Sequence, residues 1–368
     1  MDQYRATVRQ LEGLHKLHTA ACVLMAPSAD MEARQEYLAK REHYHNQQAP
    51  IYSTFLMRRR LDSTFLDKPV CKLQRVVPIT KDCPVDPSFV TLFRPLEAEF
   101  EQYVEETLGT RMRAWRDQGS RPQDKPTREG VLRSSLTRLR DQRIYTVFPS
   151  LLRLYGEGRL PDLPPIRPEA VGEHMLVVQS SNPEIAKRSP FYKHILTIAR
   201  NLTKIDELDA ILDRVLEDRR KHPQRVRAVP KNVLIFAEVP ANTFLVYLYL
   251  LRRRARQFDL NLVHRQVPHA DRLEMIDAFR AWDKERPVIH ICTPRLGGSG
   301  IDMTRASYII FVDLTLMQRD EDQAIGRVNR PAQTMPIEAY VLKATGARVE
   351  ELIDNRKRMR ETLSRSQK

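Results

Sequence analysis

From about residue 191 onward, apolar positions alternate between helical stripes and short uninterrupted runs. Residues 194–217 place Ile195, Ile198, Leu202, Ile205, Leu208, Ile211, Leu212 and Val215 on one helical face. VLIF (233–236) follows, long enough only for a buried strand. Asn242 or Thr243 offers a cap for the next helix, which runs to about 256. LNLVH (260–264) reads as a strand, and Leu273, Ile276 and Phe279 form the apolar stripe of a helix over 270–282. PVIHIC (287–292) and YIIFV (308–312) are strands again. A polar helix spans about 319–329, IEAYVL (337–342) closes the series, and a basic helix runs from about 348 to 364. Strands alternating with helices in this way predict an α/β fold, with a parallel sheet flanked by helices.

The first half reads differently. Residues 1–190 are charged and proline-punctuated, with helical patches between irregular stretches. AACVLMAP (20–27) fits a short buried strand. Segment 95–117 has apolar residues at helical intervals, and 131–155 repeats the pattern with Leu132, Leu136, Leu139, Ile144, Val147 and Leu151. Polar, proline-bearing loops are expected at 118–129 and 156–168. The expected organisation is a mostly helical region at 1–190, an α/β lobe at 191–346, and a C-terminal basic helix at 347–368. No internal repeat or low-complexity tail interrupts it.

Charge adds a partner class. The 368 residues hold 61 Lys and Arg against 47 acids, a net charge of +14. That excess favours polyanions, nucleic acid first and an acidic membrane surface second. No run of apolar residues is long enough to span a bilayer, and the first residues lack the apolar core of a signal peptide. The four cysteines, Cys22, Cys71, Cys83 and Cys292, form no C-x-x-C pair, so they read as idle thiols in a reducing compartment. The close histidine pairs His15/His18 and His43/His45 lack a carboxylate or cysteine at ligand spacing, and no metal is expected.

Two constellations carry candidate chemistry. Gly297, Gly298 and Gly300 follow the strand at 287–292 directly. A loop after a parallel strand is where α/β sheets bind ligands, and glycine lets backbone N–H groups approach a phosphate. A plain tight turn is the alternative. QAIGRVNR (323–330) puts Arg327 and Arg330 three apart on one helix face, with Gln323 four before Arg327 on the same face. Forked guanidiniums match phosphoryl oxygens. A solvated basic helix face is the alternative here.

The order of these blocks is more specific than either block. VLIF, then TPRLGGSGIDMT (293–304), YIIFVD (308–313) and QAIGRVNRPAQT (323–334) resemble the C-terminal RecA-like lobe of a superfamily-two helicase. The likeness is greatest to the Swi/Snf-type DNA-translocating ATPases, whose motifs run S-T-x-A-G-G-x-G-I-N-L-T and Q-A-x-x-R-x-x-R-I-G-Q. It spans about 200–345. Upstream, FLMRRR (55–60) with KPVCKLQRVVPIT (68–80) resembles the segment closing the family's first lobe. LRSSLTRLRDQ (132–142) resembles the helix before its second lobe, and LTKIDELDAILDRV (202–215) the lobe-opening helix, with Lys204 at the family's lysine. VEELIDNRKRMRE (349–361) resembles the helix that packs back on the lobes.

Departures are visible too. Leu296 stands at the usual alanine and Asp302 at the usual asparagine. Leu316, Met317 and Gln318 replace Trp-Asn-Pro, Pro331-Ala332 replaces Ile-Gly, and HRQVP (264–268) stands where Asp-Gly is expected. No glycine precedes a lysine, so no phosphate-binding loop is present. The only Asp-Glu pairs, Asp206-Glu207 and Asp320-Glu321, fall in predicted helices rather than after a buried strand. On this reading the sequence starts near the end of the first lobe.

The resemblance implies a role for each matched residue. Arg327 and Arg330 would act as arginine fingers on ATP held by a first lobe, which would also supply the magnesium. Gly298, Gly300, Asp302 and Gln323 would line the same cleft. Thr293 and Arg295 would face a nucleic-acid backbone, or sit in a solvated loop. The implied partners are double-stranded DNA or chromatin and a first lobe in trans, with no membrane; the implied compartment is the nucleus. Without a phosphate-binding loop, no ATP hydrolysis is expected from this polypeptide alone. A non-catalytic DNA- or protein-binding module built on a helicase lobe is the other reading.

Overall fold

The structure is a computed structural model that describes residues 64–65, 68–69, 73–119, 125–135, 140–156, 182–221, 232–265, 267–281, 286–294, 303–331, 333 and 335–366. The chain divides into two compact units, residues 1–72 and 73–368. In the first, Thr64–Phe65 pairs antiparallel with Lys68–Pro69. The strand expected at 20–27 and the segment at 55–60 lie outside the described residues.

The second unit is built on a six-stranded, wholly parallel sheet. Its strands are β1 (Ile79–Pro84), β2 (Asn232–Phe236), β3 (Asp259–Val263), β4 (Val288–Cys292), β5 (Ala306–Phe311) and β6 (Glu338–Thr345). Their spatial order is β1-β6-β5-β2-β4-β3. β4 and β5 do not pair with each other; both pair with β2 in parallel. Every residue of β2, β4 and β5 is buried, which is why each reads as a mainly apolar run.

β1 comes from the region before residue 190 and extends the sheet beyond β6. Its composition conceals it: only Cys83 of its six residues is buried, so no apolar alternation marks an edge strand of this kind.

Eleven helices accompany the strands among the described residues. They are α1 (Pro87–Asp117), α2 (Arg128–Ser135), α3 (Arg140–Tyr145), α4 (Ser150–Gly156), α5 (Pro183–Ala186) and α6 (Pro190–Ile198), then α7 (Thr203–Lys221), α8 (Pro240–Arg253), α9 (His269–Arg280), α10 (Gln318–Val328) and α11 (Arg348–Ser366). Asp86 starts α1 by accepting from Ser88 N at 2.8 Å, with Pro87 at the first helical position.

The strand side chains sort into two layers by the period of two. Val233, Ile235, Ile289, Ile291, Tyr308 and Ile310 face a core with α6, α7 and α8. Leu234, Phe236, Val288, Ile309 and Phe311 face a second core with α9, α10 and α11. The lobe is thus a three-layer sandwich in which the parallel sheet is covered on both faces.

Three local expectations are corrected. The stripe over 194–217 is buried as read, but it belongs to two helices, α6 and α7. Asn201 breaks the run with a φ of 55°, a left-handed conformation that asparagine tolerates better than most residues. Neither Asn242 nor Thr243 caps α8, which begins at Pro240; Asn242 is fully buried inside it. Leu273 is about half exposed, and Met275 joins Ile276 and Phe279 on the buried face of α9.

Candidate functional site

Parallel strands give the lobe two unlike edges. At the carboxyl edge, Thr293 is half-buried directly after β4. Nearby stands a buried polar cluster that local spacing does not reveal. Asp313 accepts from Glu238 N at 2.6 Å and from Asn242 Nδ2 at 2.8 Å. Asn242 Nδ2 also donates to the Arg143 carbonyl at 3.2 Å, and the Arg143 guanidinium donates to the Leu314 carbonyl. This ties the end of β2, the turn after β5 and helix α3 together. His264 ends β3 at the same edge, and burial pushes its imidazole pKa down.

The arginine helix lies in the α9–α11 layer. α10 buries Glu321, Ala324, Ile325 and Val328 at the spacing of one helical face. Gln323 and Gly326 are exposed and Arg327 is half-buried, so the glutamine and arginine share the outward stripe. Arg330 does not share the helix face expected for it, because the helix ends at Val328; it follows in the turn after, also half-buried. The Met303 amide donates to the Arg327 carbonyl at 3.2 Å. Met303 lies three residues before β5, so the end of α10 sits at the amino edge of that strand. Thr293 and Arg327 therefore occupy opposite edges, about 17 Å apart along a five-residue strand rising ~3.3 Å per residue.

The segment joining these edges carries the remaining candidates. Arg295, Gly298, Gly300 and Asp302 lie outside the described residues. Asp302 immediately precedes Met303, so the chain that follows the glycine block arrives beside Arg327.

Two buried ion pairs hold this region. Lys204 Nζ is 2.5 Å from Glu350 Oε1 and donates to the Val312 carbonyl at 2.9 Å. Glu350 Oε2 accepts from Ala344 N at 2.5 Å, so α7, the end of β5, β6 and α11 meet at one pair. Both side chains are almost wholly buried. Glu321, two residues before Gln323, pairs with Lys357 of α11 and accepts from Thr315 Oγ1 at 2.7 Å. The arginine helix is thus anchored at its inner face by the C-terminal helix. Its exit turn is anchored separately: Asn329 Nδ2 donates to the Gln74 carbonyl at 2.7 Å, and Gln74 Nε2 to the Met335 carbonyl at 2.7 Å. Gln333 Nε2 holds the Thr304 and Ala306 carbonyls at 2.8 and 2.9 Å. Apart from Ala344 and Thr315, each six residues from its glutamate, these partners are 27 to 261 residues apart, beyond the reach of local pattern.

The glutamates of the two Asp-Glu pairs are ion-paired within the lobe. Glu321 is committed to Lys357 and Thr315, and Glu207 pairs with Lys81 at 3.1 Å. Burial, with Asp209 beside it, raises the Asp206 pKa. Among the described residues no group of three or more His, Cys, Asp or Glu is arranged to hold a metal ion.

Residues 208–332 match the family described as the helicase conserved C-terminal domain. The mouse protein "SWI/SNF-related matrix-associated actin-dependent regulator of chromatin subfamily A member 1" is 29% identical over 171 residues, 46% of this chain and 15% of that protein. The Saccharomyces cerevisiae "ISWI chromatin-remodeling complex ATPase ISW1" is 25% identical over 170 residues, 46% of this chain and 14% of that protein. The Debaryomyces hansenii "Chromatin-remodeling ATPase INO80" is 26% identical over 176 residues, covering 48% and 11%. The chain thus spans only about a seventh of the length of the first of these relatives. A solved structure described as the C-terminal part of the Fun30 ATPase domain aligns with a TM-score of 0.43 and 16% identity, over 76% of this chain and 90% of that one. Over residues 208–332 the α/β lobe is thus similar to the helicase conserved C-terminal domain, and the relatives it resembles are chromatin-remodelling proteins of the Swi/Snf type.

Proposed function

We propose that this lobe completes an ATP site shared with a first helicase lobe, and that it holds duplex DNA or chromatin during nucleotide-driven movement. The observation carrying this reading is α10. Its inner face is buried and ion-paired, while Gln323 and Arg327, followed by Arg330, lie on the solvent side. A rigidly anchored helix with guanidiniums on its outer stripe suits phosphoryl oxygens.

Arg327 and Arg330 hold the charge that builds on the transferring phosphoryl group, and Gln323 lines the cleft with Gly298, Gly300 and Asp302. ATP, when bound between the lobes, supplies the phosphoanhydride whose cleavage drives movement. Magnesium falls to the first lobe; the glutamates of both acidic pairs described here are ion-paired elsewhere. Thr293 and Arg295 contact the nucleic-acid backbone, a hydroxyl and a cation being suited to phosphate. The protein acts in the nucleus.

The test uses the whole chain. Alone, it should show no DNA-stimulated ATPase activity above background. A first lobe from a Swi/Snf-type relative should restore turnover in trans. Robust hydrolysis by residues 1–368 in a preparation cleared of contaminants would overturn this reading.

A further inference from the structure

The turn that ends α8 lies at the other end of the strands from Thr293. α8 starts beside the carboxyl edge and runs back along the sheet. Its exit is fixed at the amino edge: Arg286 Nη1 donates to the Ala255 carbonyl at 3.3 Å, and Asp259 N to the Pro287 carbonyl at 3.0 Å. Those residues lead into β3 and β4. The turn also belongs to the α6–α8 layer, on the opposite face of the sheet from α10.

Its sequence is RRRAR (252–256), and the four arginines divide sharply. Arg254 is buried and takes both nearby acids, Asp209 at 2.8 Å and Asp213 at 2.6 Å. Its carbonyl accepts from Gln257 N and Phe258 N at 2.8 and 3.1 Å, which closes the turn. Arg252, Arg253 and Arg256 are exposed. Arg252 lies over the Tyr192 ring, 5.5 Å from its centroid, which also brings α6 to this end of α8. Arg188, in the turn before α6, is exposed as well. Among the described residues, no carboxylate pairs with Arg188, Arg252, Arg253 or Arg256.

The buried Arg254 therefore does two things. It rigidifies the turn, and it consumes the acids that would otherwise neutralise its neighbours. The result is a cluster of guanidiniums on a fixed platform, one of them stacked on an aromatic ring. Such a cluster attracts a polyanion and loses little side-chain freedom on binding it. The arginine turn offers no exposed apolar side chain to enter a membrane; the exposed large apolar residues of the described chain are Val77, Ile79, Leu196, Leu273 and Met317. Forked donors at short spacing suit a phosphate backbone more than scattered carboxylates.

We propose that Arg252, Arg253 and Arg256, with Tyr192 beside them, form a nucleic-acid backbone contact separate from Thr293 and from Arg327 and Arg330. It would let the lobe touch a second stretch of duplex while the motif face is engaged. This inference does not depend on the roles given to Arg327 and Arg330.

The test compares two triple variants of the full chain. Arg252→Ala/Arg253→Ala/Arg256→Ala removes the cluster. Arg94→Ala/Arg113→Ala/Arg116→Ala removes equal charge from exposed positions on α1. Binding of a random-sequence 30-base-pair DNA is measured across a salt series. Each lost phosphate contact reduces the slope of log K against log salt by about 0.9, so the cluster variant should lose about 3 from its slope while the control keeps it. Circular dichroism melts should match wild type for both. Equal slopes for the two variants would overturn the proposal, as would an unmutated chain that fails to bind DNA. So would a cluster variant that loses binding to phosphatidylserine vesicles or polyglutamate while keeping its DNA affinity.

Discussion

Lys204 and Arg256 carry the same charge on the same lobe and serve opposite ends. Lys204 is buried against Glu350, between helices and strand ends, where its charge holds the fold together. Arg256 stands in solvent on a turn whose acids are already taken by Arg254. Lys357 resembles the first and Arg253 the second. In a basic chain, net charge alone says little about binding. What separates a structural cation from an available one is whether a carboxylate from another element reaches it.

That division can be broken by substitution, and the stability effects should fall in order. Lys204→Met leaves the Glu350 carboxylate buried without its cation, which typically costs ~3–5 kcal/mol. Urea unfolding should show that loss, with much of it regained in Lys204→Met/Glu350→Gln. A single variant as stable as wild type would place Lys204 outside the structural class.

Next in size is a pH effect from a buried group with no charge at all. His290 in β4 is fully buried, its Nδ1 has no hydrogen-bond partner, and burial pushes its pKa down to about 4 from 6.5. Between those values the unfolded chain binds the proton that the folded chain excludes. The stability is therefore full above pH 6.5 and falls as pH drops toward 4, by roughly 3 kcal/mol in all. Phe279 meets the imidazole edge-to-face at 5.3 Å, and His290→Phe keeps an aromatic ring there. Unfolding midpoints measured from pH 4 to 7 should flatten in that variant. An unchanged pH dependence would assign the effect to other groups.

Lys357→Met should cost about 2 kcal/mol, because Glu321 keeps Thr315 as a partner. Its signature is local: hydrogen exchange should quicken across α10 and leave α8 unchanged. Uniform quickening would show that the pair does not anchor α10 in particular. The smallest effect belongs to Arg252→Ala/Arg253→Ala/Arg256→Ala, which should shift stability by less than about 0.5 kcal/mol per site. A larger shift would return those arginines to the structural class.

Particular residues show what the sequence made legible. The strands β2, β4 and β5 could be read because both of their faces are buried, so most positions are apolar, with Asn232, His290 and Ser307 the buried polar exceptions. β1 could not, since an edge strand with one buried residue has no apolar pattern. The buried face of 194–217 was visible, but the break at Asn201 was not, because its neighbours keep the helical period. Asn242 looks like a cap by residue type, and only tertiary contact reveals that it serves Asp313. At the candidate site, the spacing of Gln323 and Arg327 was enough to put them on one stripe. The anchors behind that stripe, Glu321 with Lys357 and Gln74 with Asn329, join distant segments and leave no local trace.

The most direct measurement separates chemistry from stability in a single variant. Arg330→Ala is compared with wild type in the enzyme complemented by a first lobe, alongside its melting temperature. Arg356→Ala, in α11, serves as the reference. Loss of an arginine finger typically costs on the order of a thousandfold or more in turnover. Arg330→Ala should show that collapse at an unchanged melting temperature, with Arg356→Ala near wild type. Turnover indifferent to Arg330→Ala, or lost only in step with unfolding, would contradict the arginine-finger role.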